Sequence, residues 1–160
     1  MLLVRSYREE DLSEILKLHS DTIAAINSRD YTPEQIAVWN YKDELTYQLW
    51  QNILAASYTM VAESDGQIVG FANMFLEQGY IDRFYVHKNY QRKGVGQALL
   101  VALEARAKEE KLAKLTVESS ITAKDFFEHN GFKLVLQQQK ELSGVTLTNY
   151  VMEKVLITEN

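Results

Sequence analysis

Residues 86–100 read Val-His-Lys-Asn-Tyr-Gln-Arg-Lys-Gly-Val-Gly-Gln-Ala-Leu-Leu, and this run restricts the fold more tightly than any other. A strand pattern from Tyr80 to Val86 leads into a polar turn and then into a helical pattern beginning near Gly94. The turn holds two cations (Arg92, Lys93), one amide (Gln91) and two glycines spaced G-x-G. The first turn of a helix leaves N–H groups unpaired and carries partial positive charge. Glycines there let backbone come close to a ligand, so the turn suits a phosphate or pyrophosphate. A Walker A loop is excluded, because no G-K-S/T closes a four-residue gap. A dinucleotide fingerprint is excluded as well, since G-x-G-x-x-G needs glycine where Leu99 stands. A solvated loop with surface charges is the plain alternative.

That local positive site lies in an acidic chain. The net charge of −5 argues against a nucleic-acid partner, which requires a basic surface. At 160 residues, 46% hydrophobic and 24% charged, the chain suits one globular domain spanning residues 1–160. No apolar run approaches the roughly eighteen residues of a membrane span, and no secretory signal is visible, so cytoplasmic residence is expected. The absence of cysteine excludes disulfides, zinc–thiolate sites and a thiol nucleophile.

Read in order, Leu2–Tyr7 forms a first strand, and Glu9, Glu10 and Asp11 favour a helix start. Leu12, Ile15, Leu16, Ile23 and Ile26 then make a helical stripe that includes His19. Thr32-Pro33-Glu34-Gln35 predicts a capping box and a second helix ending near Asn40. A third helix is expected over 43–56, burying Leu45, Leu49, Ile53 and Leu54. Alternation from Tyr58, a tight turn at Asp65-Gly66 and strands over 68–76 and 80–86 give an antiparallel meander. After the glycine turn, a helix to about Glu110 and a short strand at Leu115–Val117 imply a parallel crossover. Ser119 and Ser120 are expected to cap a helix carrying Phe126 and Phe127 and stopping at Asn130-Gly131. A last hairpin, 132–138 and 145–155, turns at Ser143-Gly144. The order is βααα-βββ-α-β-α-ββ.

Gln91-Arg92-Lys93-Gly94-Val95-Gly96 matches Q/R-x-x-G-x-G/A, and Ala123, Phe126, Phe127, Glu128, Gly131 and Phe132 match A-x-x-F-[FY]-E-x-x-G-F. On these two motifs the chain resembles the Gcn5-related N-acetyltransferases over most of its length after residue 57. The resemblance implies an α/β fold with a strongly twisted mixed sheet flanked by helices, and acetyl-CoA as cofactor. It also implies that the pantetheine meets main-chain groups of Phe84, Tyr85 and Val86. The pyrophosphate then meets the N–H groups of Arg92, Lys93, Gly94, Val95, Gly96 and Gln97, with Gln91 just before them and Phe126 and Phe127 nearby. Strands that splay apart at this point let the cofactor replace a missing strand partner.

The implied reaction is attack of a neutral amine on the thioester carbonyl, with an oxyanion held by a backbone N–H of the 84–86 strand. A carboxylate that deprotonates the incoming ammonium adds about 10²–10⁴-fold. Asp82 is the candidate base, on the face of Tyr80 and Phe84 unless a bulge intervenes; a solvated strand aspartate paired with Arg83 or a neighbour is the plain alternative. Glu77 and Glu118 are weaker candidates at strand ends. His19, Tyr31, Gln35, Trp39 and Tyr80 are assigned to the acceptor pocket. Many relatives place a tyrosine at position 127 to protonate the leaving thiolate, and Phe127 cannot do so. Ser119, Ser120, a pocket tyrosine or water must then serve, or the thiolate departs unassisted, and Ser120 is taken as the candidate donor. The expected activity is N-acetylation of a small-molecule primary amine in a ternary complex. A non-catalytic acyl-CoA sensor or scaffold and a protein or peptide acetyltransferase are the alternatives. A homodimer is among the states the resemblance allows.

Overall fold

A computed structural model describes residues 1–156. The elements run β1 (Leu2–Ser6), α1 (Leu12–Ala25), α2 (Pro33–Trp39), α3 (Glu44–Ala56), β2 (Tyr58–Ser64), β3 (Gln67–Phe75) and β4 (Tyr80–Val86). Then come α4 (Val95–Glu109), β5 (Lys114–Ser120), α5 (Lys124–His129), β6 (Lys133–Leu142) and β7 (Val145–Val155). The strands form one sheet of order β1-β2-β3-β4-β5-β7-β6. Every neighbouring pair is antiparallel except β4 and β5, which the α4 crossover joins in parallel. The predicted order of helices and strands is the observed one.

Local chemistry explains most boundaries. Thr32 and Gln35 form the reciprocal capping box, with Pro33 opening α2. Asp65 and Gly66, with φ of 51° and 78°, supply the left-handed pair that a two-residue hairpin turn needs. Helices cover both faces of the sheet. On one, Leu12, Ile15 and Leu18 of α1 and Trp50 and Leu54 of α3 pack on Val61, Ile68 and Phe71. On the other, Val95, Leu99 and Leu103 of α4 pack on Met60, Ala62, Ala72 and Met74.

Two expectations change. The third helix does not bury Leu45 and Leu49, which are 77% and 55% exposed. Its inward stripe runs through Trp50 and Leu54, because the large indole fills the space between α1 and β3. Ser119 and Ser120 are not helix caps but the last residues of β5, which is longer than expected. Pairing with β7 extends the strand through Ser120↔Asn149, and α5 begins only at Lys124.

Candidate active site

β4 and β5 pair at only two positions, Tyr80↔Thr116 and Ile81↔Val117. Beyond them the strands diverge, opening a cavity of about 1470 Å³ in the middle of the sheet. The other edge of β4 stays bonded to β3, where the His87 N–H donates to Val69 O at 2.8 Å. Ladder alternation therefore turns the backbone groups of Phe84 and Val86 toward the gap. The Val86 carbonyl is already occupied, accepting from Gln91 Nε2 at 2.7 Å and Thr22 Oγ1 at 3.1 Å. The Phe84 and Val86 N–H groups remain as donors on an unpaired strand edge.

The start of α4 faces the same cavity. Gly94 caps the helix with φ of 83°, a conformation that L side chains rarely adopt. The first intrahelical bond is Ala98 N–H to Gly94 O at 3.0 Å, so the N–H groups of Val95, Gly96 and Gln97 have no helical acceptor. A Cβ at Gly96 would sit 3.0 Å from Phe126 Cε1, so any side chain here makes the Phe126 ring give way. Gln91, Arg92, Gly94, Val95, Gly96 and Gln97 all line the cavity. Lys93 does not line it; its ammonium lies 5.4 Å from the centre of the Tyr90 ring. Phe126 and Phe127 line the cavity too, in an edge-packed cluster with Phe84.

A free strand edge beside a helix N-terminus supplies donors for an amide-bearing arm and a pyrophosphate, so these residues fit coenzyme A. Residues 27–154 match the acetyltransferase (GNAT) domain family. The chain belongs to that family. It is 38% identical over 149 residues to the uncharacterized N-acetyltransferase YafP of Escherichia coli (strain K12), covering 93% of each chain. A GCN5-related N-acetyltransferase structure from Rhodopseudomonas palustris superposes with a TM-score of 0.89 at 30% identity, covering 96% of this chain and 95% of that one. The PaiA N-acetyltransferase of Thermoplasma acidophilum, solved with coenzyme A, shares the fold with a TM-score of 0.79 at 19% identity, covering 97% and 99%. As a GNAT enzyme, the chain is an N-acetyltransferase that uses acetyl-CoA.

The other end of the cavity is built from side chains. β4 is bulged: Asn73 pairs with Arg83 and Met74 with Ile81, leaving Asp82 without a partner across the strand. The bulge does intervene, so Asp82 does not share a face with Phe84. Phe84 packs with Phe126 and Phe127, whereas the Asp82 carboxylate meets Asn73 Nδ2 at 3.1 Å and the Arg83 guanidinium. Arg83 in turn stacks 4.3 Å from the centre of the Trp50 ring. Asp82, Tyr80, Tyr31, Trp39 and Ser120 line the cavity. Burial, then the Glu118 and Asp82 carboxylates, push the Tyr80 phenol up, so it keeps its proton at neutral pH.

Tyr31 is buried and tied twice, donating from its hydroxyl to Thr148 O at 2.7 Å and accepting from Ile121 N–H at 2.9 Å. Gln35 lies outside the cavity lining and donates from Nε2 to Thr146 O at 2.8 Å. His19 lies beneath the site rather than in it, packed edge-on between Trp50 and Tyr85. Burial, with the Lys42 and Arg83 charges nearby, holds it neutral. Glu118 reaches the cavity but pairs with Lys140 at 3.1 Å, and Glu77 is exposed outside it. Ser119 donates its hydroxyl to Ser120 O at 2.9 Å, whereas Ser120 Oγ accepts from Ala123 N–H at 3.1 Å and keeps its own proton to give.

Sequence reasoning passed over three contributors. Thr22 braces the end of β4, the β6–β7 hairpin lines the cavity through Lys140–Leu142 and Leu147–Asn149, and Asn73 holds Asp82. Only Asn73 left a trace in the sequence, as an amide inside an otherwise apolar strand.

Proposed function

We propose that this enzyme acetylates a primary amine of a small molecule by direct transfer in a ternary complex, with Asp82 as general base. The observation that supports the small-molecule reading is the set of side chains around Asp82. Tyr31, just before α2, and Gln35 within it donate to Thr148 O and Thr146 O, tying this segment to β7 beside the cavity. Asp82 lines the cavity together with Tyr31, Trp39 and Tyr80, and a carboxylate among aromatic rings suits an ammonium.

Bound acetyl-CoA supplies the thioester. Asp82 would take the ammonium proton from the acceptor, whose nitrogen would form the new C–N bond as the C–S bond breaks and would then shed its second proton. The Phe84 N–H on the free β4 edge donates to the acyl oxygen as it gathers charge, the usual device for acyl transfer. The leaving sulfur would take that second proton by way of Ser120, the neutral Tyr80 phenol or water, each giving one proton and regaining one; a thiol with a pKa near 8.5 also departs tolerably as thiolate. Phe127 contributes only an apolar wall.

Thiol release from acetyl-CoA, followed with a panel of small primary amines and of short peptides with free N-termini, tests this. Turnover on amines at a kcat/KM at least tenfold above any peptide is expected. Preference for peptides would replace the acceptor class, and tight CoA binding without turnover on any acceptor would favour the sensor alternative.

A further inference from the structure

Asn73 sits on β3 in the middle of the sheet with 0% of its surface exposed. Its Nδ2 donates to two groups, Ser57 Oγ at 3.1 Å and Asp82 Oδ2 at 3.1 Å. Its Oδ1 is buried without a hydrogen-bond partner among the described residues. For the fold alone this is a poor choice. Asparagine is disfavoured in strands, and a buried unpaired carbonyl costs stability that an apolar side chain would not. Local rules broken in this way are characteristic of functional positions.

The surrounding bonds fix the amide's direction. Ser57 Oγ donates to Ile53 O at 2.7 Å, so it presents a lone pair to Asn73. Asp82 presents a carboxylate oxygen. Flipping the amide would set Oδ1 against both acceptors, so only one orientation is available, and it spends both N–H bonds. With both hydrogens donated outward and no proton to receive, the amide holds but cannot relay. Arg83 engages the same Oδ2 from the other side while anchored on Trp50. Both bonds thus fall on one oxygen, and among the described residues no hydrogen bond engages Oδ1 of Asp82. At a bulge, where the ladder gives Asp82 no partner of its own, these two donors set the carboxylate's direction.

We infer that Asn73 is a positioning residue for Asp82: through its buried amide it pins Oδ2 and leaves Oδ1 turned to the acceptor amine. The inference rests on Asp82 being the base.

The test is a double-mutant cycle of Asn73→Leu and Asp82→Asn, with kcat and the KM for acetyl-CoA measured for all four proteins. Asn73→Leu is expected to lower kcat by about 10–100-fold, the size typical of residues that orient a functional group from behind. The KM for acetyl-CoA should stay within about twofold, since binding is not what the residue serves. In the Asp82→Asn background the same change should cost less than about twofold, because coupled residues are not additive. An equal loss in both backgrounds would show that Asn73 acts on the fold alone and overturn the inference. A near-normal kcat for Asp82→Asn by itself would remove the base assignment and the inference with it, a distinct signature. Should Asn73→Leu fail to fold, Asn73→Ala takes its place in the cycle, with thermal unfolding confirming that each protein is native at the assay temperature.

Discussion

The cavity has two ends made of different material. The cofactor end is backbone: a strand edge that lost its neighbour and a helix start whose N–H groups have no helical acceptor. The acceptor end is side chain: a bulged aspartate, a buried amide, two tyrosines and a hairpin stitched to α2. Backbone donors follow from topology and tolerate side-chain change, apart from the glycines. A site of side chains depends on particular residues from four or five elements, each aimed by another. The first end should therefore fail by degrees, and the second should fail at single positions.

The sharpest break is at Asp82. Asp82→Asn keeps the size of the side chain and an oxygen for Asn73 and Arg83, and removes only the basic carboxylate. A drop in kcat of about 10²–10⁴-fold is expected, with CoA affinity by titration calorimetry nearly unchanged. A parallel loss of CoA affinity would mean that the two ends are not independent.

The cofactor end yields less abruptly. In Gly96→Val the new Cβ alone stands 3.0–3.1 Å from the Phe126 ring, which lines the cavity and has to shift. Overpacking of this kind costs about 1–3 kcal/mol, so CoA should bind roughly tenfold more weakly while kcat at saturation changes little. Unaltered CoA affinity would detach Gly96 from the cradle.

The same contrast explains what could be read from the residues alone. The meander, the crossover, the capping box and the glycine turn are local patterns, each written in consecutive residues, and backbone chemistry follows from them directly. The acceptor end is not local. That Asp82 bulges depends on register against β3, and that Tyr31 meets Thr148 depends on where β7 runs. His19 lies on the correct stripe of α1, yet a stripe says which residues turn inward and not whether they stop at a core or a cavity. Leu45 and Leu49 gave a plausible stripe as well, and the competing one through Trp50 won on ring volume.

His19 provides a smaller test of where the acceptor end stops. Its folded value lies well below the ordinary 6.5 because of burial and the Lys42 and Arg83 charges. Below about pH 6.5 the unfolded chain binds a proton that the folded chain refuses, so stability falls progressively as pH drops toward the folded value. His19→Phe should flatten the decline in melting temperature between pH 7.5 and 5, while the KM for the amine moves by less than about twofold. A large rise in that KM would return His19 to the pocket.

The smallest effect is expected at the boundary between the ends. Phe127 is nearly fully buried, its ring packed edge-on against Phe84, Phe126 and Phe132, and it borders the cavity. Phe127→Tyr adds a hydroxyl at that border, where burial without a partner would cost stability and a place in the cavity would not. If Ser120, Tyr80 or water already serves the leaving sulfur, kcat should change by less than about threefold, since a thiolate needs little assistance. A rise well beyond that, lost again when the assay pH passes the tyrosine's ionisation, would show that departure of the sulfur limits turnover. The acid that the ring lacks would then be the weakest point of the acceptor end, and the contrast between the two ends would extend to the leaving group.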